Sequence, residues 1–378
     1  MARKKLTQKT KLQVWVRSGG RCAYPGCNDL LWRDELTLQV MNKSYIAHIH
    51  AESEGGPRWN PDLTEEDRNS VENLMLLCDA HHRLIDREGK DDHDAALLRR
   101  YKSEHEERIE HLTALHASRR THVVLFGSRI GDRNGPVQLE EAVAAVQAEG
   151  RYPVTPNGMR VELQDCPVRP SDPAYRVFVE GEVQKLMDRY LRPGEGPTGK
   201  PINHLSVFAL APIPALVYFG RQLGDVGTVD VFQKHRESGW TWQPFEDEGF
   251  AYALTHPETT GPCDGVTVRL SISGRVHLSE VHEAVGDAMP DYELTISNPQ
   301  RTSLVAKEQL ELFRNEWRSL MTRIREDHGP TCEVHLFPAV PNSVAVEIGR
   351  TVLPKIEPTL QVYDCDRDLG GFHHRLTV

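Results

Sequence analysis

From residue 122 onward, short apolar runs alternate with segments whose apolar positions recur every three to four residues. The first pattern is typical of buried strands and the second of amphipathic helices, so their alternation predicts an α/β architecture. The clearest helix covers 304–325, where Phe313, Trp317 and Leu320 share one face. Eight strands are predicted, over 122–126, 160–163, 205–210, 228–232, 266–272, 292–296, 332–337 and 360–363.

The predicted elements form two similar series of four strands each. Two runs within them share five residues at identical offsets, which are Phe208/Phe337, Pro212/Pro341, Val217/Val346, Gly220/Gly349 and Arg221/Arg350. Repeated residues in the same order within matching elements indicate an internal duplication. The sequence therefore predicts two Rossmann-like halves, at about 122–262 and 263–378, related by a pseudo-twofold axis.

The N-terminal third has a different pattern, with a strand-like run at 45–49, a turn at 52–57 and helical periodicity over 94–115. We expect an α+β domain over 1–115, a linker at 116–121 and a second domain over 122–378. No run of about twenty apolar residues occurs, and the basic N-terminus lacks the apolar segment of a signal peptide. We therefore expect a cytoplasmic protein without membrane contact.

Cysteine and histidine are concentrated in this third, since three of the seven cysteines and nine of the eighteen histidines lie within residues 1–122. An odd number of cysteines without a secretory signal argues against a disulfide framework. Cys22 and Cys27 form one pair, and Cys78 and His81 form another fifty residues later. Three thiolates and an imidazole are a complete tetrahedral set for structural zinc.

Further polar residues lie between these two pairs in the sequence or directly after them. His48 lies in the strand-like run, Asn73 precedes an apolar run, and His82 follows His81 directly. This His-Asn-His order resembles the HNH endonucleases, over about residues 10–90. The resemblance implies a ββα-metal fold around one divalent ion, Mg²⁺ or another, and hydrolysis of phosphodiester bonds in double-stranded DNA.

The resemblance also implies roles for single residues. His48 would be the general base, held by the side chain of Asn73, and His82 would bind the catalytic ion. The family often has Asp or His immediately before the general base as a second metal ligand, where this sequence has Ala47. The candidates for that second ligand are His50 and Asp86.

Charge is distributed unevenly along the chain. Residues 1–50 carry nine Lys and Arg against three Asp and Glu, the first 122 residues are neutral overall, and the whole net charge of −10 lies in 123–378. A basic N-terminal arm on an acidic body fits a protein whose contact with a polyanion is confined to one end.

The second domain has no Walker loop and no GxGxxG motif, so an ordinary nucleotide enzyme is not indicated. Ligands of open α/β sheets bind beyond the carboxyl ends of the strands, where helix N-termini present N–H groups. In this chain those ends lie at 127–128, 212–214, 273–274 and 341–343.

The runs 208–214, 240–242, 270–274 and 336–341 resemble the SAVED domain, a fusion of two CARF-like units that senses cyclic oligonucleotides in bacterial anti-phage signalling (CBASS). HNH followed by SAVED resembles an effector architecture of these systems. It implies a cyclic di- or trinucleotide as activating ligand and a homo-oligomer, dimeric at rest and assembling further, for example into a tetramer, when activated. The expected ligand contacts are Pro212, Lys234, Trp242, Ser273, Pro341 and Phe372.

Two other functions compete with a ligand-gated endonuclease. One is a restriction-type HNH nuclease whose second domain reads modified DNA, but such a domain should be basic and 123–378 is acidic. The other is a non-catalytic nucleic-acid-binding zinc protein, in which Ala47 would mark a dead site. The retained His48, Asn73 and His82 argue against it.

Overall fold

The computed structural model describes residues 6–130, 133–224, 227–246, 249–258, 261–352, 358–366 and 369–378. Residues 1–5, which belong to the basic N-terminal arm, lie outside the described residues. The chain divides into two compact units, Met1–His116 and Ala117–Val378. Within the described ranges, no helix is long and apolar enough to cross a lipid bilayer.

The first unit is built around an antiparallel strand pair and the helix that follows it. β1 (Ser44–His48) pairs with β2 (Leu74–Cys78), and all five residues of β2 are buried, which explains its continuous apolar sequence. Cys78 ends β2 and directly precedes the short helix Asp79–Arg83. In chain order the helices of this unit are α1 (Gln8–Arg17), α2 (Glu65–Arg68), α3 (Asp79–Arg83) and α4 (Ala95–Thr113). The predicted strand at 45–49 and helix at 94–115 are confirmed to within two residues.

A six-stranded sheet opens the second unit, with β3 (Arg120–Ile130) at its centre. Its other strands are β4 (Arg133–Gly135), β5 (Tyr152–Pro153), β6 (Met159–Leu163), β7 (His204–Leu210) and β8 (Thr228–Phe232). The parallel strands run in the order β6-β3-β7-β8, and β3 also pairs with the short β4 and β5. The helices among these strands are α5 (Leu139–Ala148), α6 (Tyr175–Leu186) and α7 (Ile213–Leu223).

A second six-stranded sheet follows. Its strands are β9 (Tyr252–Thr255), β10 (Gly265–Ser271), β11 (Asp291–Ile296), β12 (Glu333–Ala339), β13 (Leu360–Cys365) and β14 (Phe372–Thr377). Four of them are parallel, in the order β11-β10-β12-β13, and the antiparallel β9 and β14 form the two edges. The helices among them are α8 (Leu278–Val285), α9 (Lys307–His328) and α10 (Asn342–Thr351).

Each of the eight strands predicted from the sequence overlaps an observed strand, and the predicted helix at 304–325 overlaps α9. In both sheets the four parallel strands have the same spatial order, which is the second strand in the chain, then the first, the third and the fourth. The predicted boundary at 262 falls inside the second sheet, because β9 pairs with β11. β9 is a four-residue edge strand with alternating exposure, so no apolar run marks it.

Aromatic residues pack in the same way on both sheets. The two sets are Phe208, Phe232 and Trp240 on the first sheet and Phe337, Tyr363 and Phe372 on the second. In each set the first ring stacks on the second with centroids 4.4 Å apart. The first ring also meets the third edge-on, at 5.2 Å in the first sheet and 5.3 Å in the second. Equivalent positions in the two sheets therefore make equivalent packing contacts.

The helices α7 and α10 pack against each other at the repeated glycines. A Cβ atom on Gly220 would overlap the carbonyl oxygen of Val346, and one on Gly349 would overlap the carbonyl oxygen of Val217. The overlap is reciprocal, so the repeated valines and glycines mark one close helix crossing. Only glycine permits backbones to approach to this distance.

Candidate active site and ligand cavity

Two cysteine-containing segments meet at the junction between β2 and α3. The donor atoms of Cys22, Cys27, Cys78 and His81 all lie within 4.8 Å of one another. His81 Nδ1 is 3.1 Å from Cys78 Sγ and 3.7 Å from Cys22 Sγ. Among the described residues this is the one group of three or more metal-ligating side chains that converges in this way. Three sulfur donors and one nitrogen fit a four-coordinate structural Zn²⁺.

The surroundings of this cluster favour a bound cation. Burial raises the pKa of the Cys22 and Cys27 thiols, and it lowers the pKa of the His81 imidazole. A buried thiolate is therefore costly unless a cation neutralises it, whereas a neutral imidazole is ready to coordinate. The ring of Tyr24 stacks on His81 with centroids 4.1 Å apart and fixes its plane.

His48 is the last residue of β1 and is half-buried. Its Nε2 atom lies 3.3 Å from Oδ1 of Asn69, in the turn after α2. The expected partner, Asn73, contacts the main chain of a neighbouring residue instead. The Asn73 side chain accepts a hydrogen bond from His50 N–H (2.9 Å) and donates one to the His50 carbonyl (2.9 Å).

The expectation that the Asn73 side chain holds the His48 ring is therefore corrected. Asn73 is buried immediately before β2, and the oxygen and the NH2 group of its side-chain amide bridge to the segment that leaves β1. It also donates to the carbonyl of Arg68 at 2.9 Å. A buried amide satisfied by three main-chain groups holds a loop rigidly. Asn73 thus fixes the backbone two residues after His48, and Asn69 contacts the imidazole itself.

His82 lies on α3, on the side of β1 that carries Tyr45. The two rings are stacked with centroids 4.7 Å apart, and His82 Nε2 is 3.4 Å from Asp86 Oδ2. The other Asp86 oxygen accepts from Arg58 Nη2 at 2.6 Å. Arg58 therefore holds the Asp86 carboxylate beside His82, and Asp86 as a second metal ligand stays a prediction. Carboxylates that orient a metal-binding histidine in this way are common.

Arg58 was not anticipated from the sequence. Its side chain is only 8% exposed, and it donates to the carbonyls of Ile49 (2.7 Å) and Ile85 (2.6 Å) as well as to Asp86. One guanidinium therefore ties the end of β1 to the turn that carries Asp86. Its planar fork of five donors can satisfy several acceptors at once.

Ala47 occupies the position where many HNH sequences carry a second ligand. Side chains alternate along a strand, so Ala47 shares a face with Tyr45, whose ring stacks on His82. The Ala47 methyl group is buried and offers no donor atom. The Nδ1 atom of His50 lies 2.8 Å from the Arg58 carbonyl, which leaves Nε2 as the nitrogen that can coordinate an ion, so His50 stays a predicted second ligand.

Residues 182–378 match the family model described as the SMODS-associated and fused to various effectors sensor domain, SAVED. This match covers more than half of the chain. The chain belongs to the SAVED family. Residues 41–88 match the HNH endonuclease model, so an HNH endonuclease domain containing β1, β2 and α3 precedes the SAVED domain. This combination is that of the HNH–SAVED effectors of CBASS defence.

No curated protein matches this chain. Among solved structures it is similar to the Acinetobacter baumannii Cap4 SAVED/CARF-domain containing receptor with the cyclic trinucleotide 2'3'3'-cAAA. The two sequences are 12% identical, and the TM-score is 0.45. The match covers 75% of this chain and 55% of that chain. The Moraxella osloensis Cap4 receptor has 12% identity, 75% and 59% coverage and a TM-score of 0.40. The chain thus spans little more than half the length of these receptors.

Three of the expected ligand contacts in the SAVED domain lie at strand-to-helix junctions. Pro212 and Pro341 immediately precede α7 and α10. Ser273 follows β10, where its main-chain N–H donates to the Ala339 carbonyl at 2.7 Å.

The other three expected contacts have packing partners. Lys234 pairs with Glu141 and lies over the ring of Trp240. Trp242 is half-buried and packs against the core. Phe372 is 9% exposed and belongs to the second aromatic set, so its side chain has a packing role.

A cavity of about 270 Å³ lies in the SAVED domain where α6 and α7 begin. Its lining combines Pro173, Pro212 and Pro214, before and within the helices of the first sheet, with Asp364 on β13 and Arg375 on β14 of the second sheet. Burial raises the pKa of the Asp364 carboxyl to about 6, against the opposing effects of Arg375 and the Cys365 amide. No sequence motif pointed to Asp364, because the cavity combines segments some 200 residues apart.

Proposed function

We propose that this protein is a cyclic-oligonucleotide-activated, metal-dependent endonuclease that cuts double-stranded DNA in bacterial anti-phage defence. The observation that carries the proposal is that one chain joins an HNH domain, with His48 and His82 on adjoining β1 and α3, to a SAVED sensor domain. The HNH domain would comprise residues 1–115, the linker 116–121 and the sensor 122–378.

Within the HNH domain, His48 would accept a proton from the attacking water. The contact between His48 Nε2 and Asn69 Oδ1 supports this, since it orients the imidazole, and Asn73 fixes the adjoining loop. Asp86, itself held by Arg58, would present His82 to a divalent ion. When bound, such an ion would neutralise charge on the scissile phosphate. Cys22, Cys27, Cys78 and His81 would hold a structural Zn²⁺.

In the SAVED domain, two Rossmann-like halves related by a pseudo-twofold axis would grip the ligand near the carboxyl ends of their strands. The shared strand order and the reciprocal contact of α7 and α10 support this arrangement. The protein would rest as a dimer and assemble further, for example into a tetramer, when the ligand binds. A single ββα-metal site cuts one strand, so a duplex break requires two sites brought together.

The test is cleavage of a supercoiled plasmid by the full chain with Mg²⁺ and a panel of cyclic di- and trinucleotides. We expect cleavage with at least one of them, and a loss of at least about 10²-fold in His48→Ala, the scale of a general base. His111→Ala is the matched control, since His111 lies on α4, outside the site. Wild-type cleavage by His48→Ala would refute the catalytic assignment.

A further inference from the structure

The duplication places Gln233 and Asp364 at equivalent positions. Gln233 directly follows Phe232, whose ring stacks on Phe208, and Asp364 directly follows Tyr363, whose ring stacks on Phe337. Both therefore stand where the fourth parallel strand of a sheet reaches its carboxyl end. The two side chains nevertheless meet different surroundings.

Gln233 closes the N-terminal end of α10. Its Oε1 atom accepts hydrogen bonds from the main-chain N–H of Ser343 (3.1 Å) and from the Ser343 hydroxyl (3.0 Å). Asn342 donates in addition to the carbonyl of Ala209 at the end of β7. The first turn of α10 is thus occupied by side chains and main chain of the other half, and Ser343 is almost fully buried.

The equivalent contact cannot form at the N-terminal end of α7, in the other half of the domain. The position equivalent to Ser343 is Pro214, at the same offset from the shared phenylalanine. Proline has neither an N–H nor a hydroxyl to donate. Asp364, the counterpart of Gln233, therefore has no equivalent donor on α7 and lines the cavity of about 270 Å³ instead.

The cavity walls leave this carboxyl as the polar group best placed to receive a ligand. Pro170, Pro173 and Pro212 give rigid apolar walls. Arg375 is engaged with Asp366 (2.6 Å) and with the Ser171 carbonyl (2.7 Å).

The other charged and titratable groups at the cavity offer less to a ligand. Arg176 is paired with Glu180 at 2.6 Å. Burial lowers the pKa of His374, so its imidazole is neutral at pH 7. Asp172 accepts from the main-chain N–H of Ala174 at 2.8 Å.

We propose that this cavity is the single base pocket of the sensor and that Asp364 selects guanine within the cyclic oligonucleotide. The inference rests on the proposed function. An ionised carboxylate only accepts hydrogen bonds, and guanine presents two adjacent donors, N1–H and the 2-amino group. Adenine presents one donor beside one acceptor on the same edge, so it pairs less well with a carboxylate.

The volume of the cavity and the difference between the two halves both fit a pocket for one base. Pockets that enclose a whole drug-sized ligand measure about 300–1,000 Å³. The cavity of about 270 Å³ is below that range and matches part of a ligand. Because Gln233 closes the equivalent end of α10, the described residues form no matching pocket there, and the rest of the cyclic ligand would lie outside the cavity.

Isothermal titration of the full chain with cyclic di-GMP, cyclic GMP–AMP and cyclic di-AMP tests this. We expect wild-type protein to bind a guanine-containing probe at least about 10-fold more tightly than cyclic di-AMP. Asp364→Asn should reduce that preference about 10- to 100-fold, the discrimination that a two-bond base contact provides. Gln233→Ala, the matched control at the equivalent position, should keep it within about 3-fold.

A second variant covers the case in which Asp364→Asn does not fold. Pro214→Ser restores at α7 the donors that Gln233 uses at α10, so it should engage Asp364 and abolish guanine preference in a folded protein. If the wild type prefers cyclic di-AMP, or if both variants bind like the wild type, the base assignment is wrong and the proposed function stands. If no cyclic oligonucleotide binds the wild type, both fail.

Discussion

The guanidinium of Arg58 lies among carbonyl groups and one carboxylate that come from two separate segments of the HNH domain. No motif pointed to it, because its partners at Ile49, Ile85 and Asp86 become neighbours only after folding. The same holds for Asn69 beside His48. Residue types and spacing predicted the four cysteine and histidine side chains that the structure brings together, whereas the catalytic roles of His48 and His82 stay predictions from the resemblance to HNH endonucleases. The residues that orient them depend on backbone geometry that a linear pattern does not contain.

Asp364 supports a prediction of pH dependence. Its pKa is raised to about 6 in the folded protein, chiefly by burial, from 3.8. The carboxyl therefore stays protonated in the folded state at a pH where the unfolded chain is ionised. Stability from this group is complete below about pH 4 and is lost as pH rises through about 6. The charged or titratable groups around it are Arg375, His374, Arg176, Asp172, Asp366 and Tyr175.

We expect Asp364→Asn to become more stable relative to the wild type by about 1–3 kcal/mol between pH 4 and pH 7.5. Urea unfolding of both proteins at the two pH values measures this difference. An identical pH dependence in the two proteins would show that the Asp364 carboxyl is not desolvated.

At the scale of elements, strands with a continuous apolar run were predictable, whereas β4, β5, β9 and β14 were not. The missed strands are short or lie at sheet edges, where few side chains are buried and turn geometry decides the pairing. The repeated glycines were visible in the sequence, but the structural requirement for glycine at these positions was not. Gly220 and Gly349 are required by the α7–α10 crossing, which involves two halves of the SAVED domain.

Gly220→Ala should destabilise the SAVED domain by about 1–3 kcal/mol or more, because the new methyl group would overlap the Val346 carbonyl. Gly181→Ala is the matched control. Gly181 lies inside α6, and an added Cβ there meets nothing within 4 Å, so we expect a gain of about 0.5–1 kcal/mol. Denaturant unfolding of both variants measures the difference, and equal stabilities would contradict the crossing.

The junction of β2 with α3 depends on the cluster that surrounds Cys78. Cys27→Ser should abolish zinc binding and unfold the HNH domain, because a four-ligand site is lost and small metal-dependent domains fold with their ion. The SAVED domain should keep its own unfolding transition. Cys365→Ser, at an exposed cysteine outside the cluster, is the control.

Calorimetry with elemental analysis of both cysteine variants makes the comparison. One zinc per chain is expected in the wild type and in Cys365→Ser. A wild-type protein that is folded and active without zinc would contradict the assignment.

At the scale of the whole molecule, charge separates the two functions. The net charge of −10 lies in residues 123–378, so this part of the chain does not attract DNA, and in the proposed function the neutral first 122 residues with their basic start would bind it alone. In the proposed function, a single nuclease domain would then bind DNA weakly, and assembly would multiply its contacts. A ligand shifts such an equilibrium only through its preference for the assembling state, and a change from 1:99 to 99:1 requires about 5.5 kcal/mol.

The central claim is that the SAVED domain switches the nuclease on. The most direct measurement is light scattering combined with plasmid cleavage at matched protein concentration, with and without the cyclic oligonucleotide that binds. We predict a small, nearly inactive species without ligand, and a larger species that linearises the plasmid with it. Equal cleavage in the two conditions would contradict the claim and favour a restriction-type nuclease that acts without a second messenger.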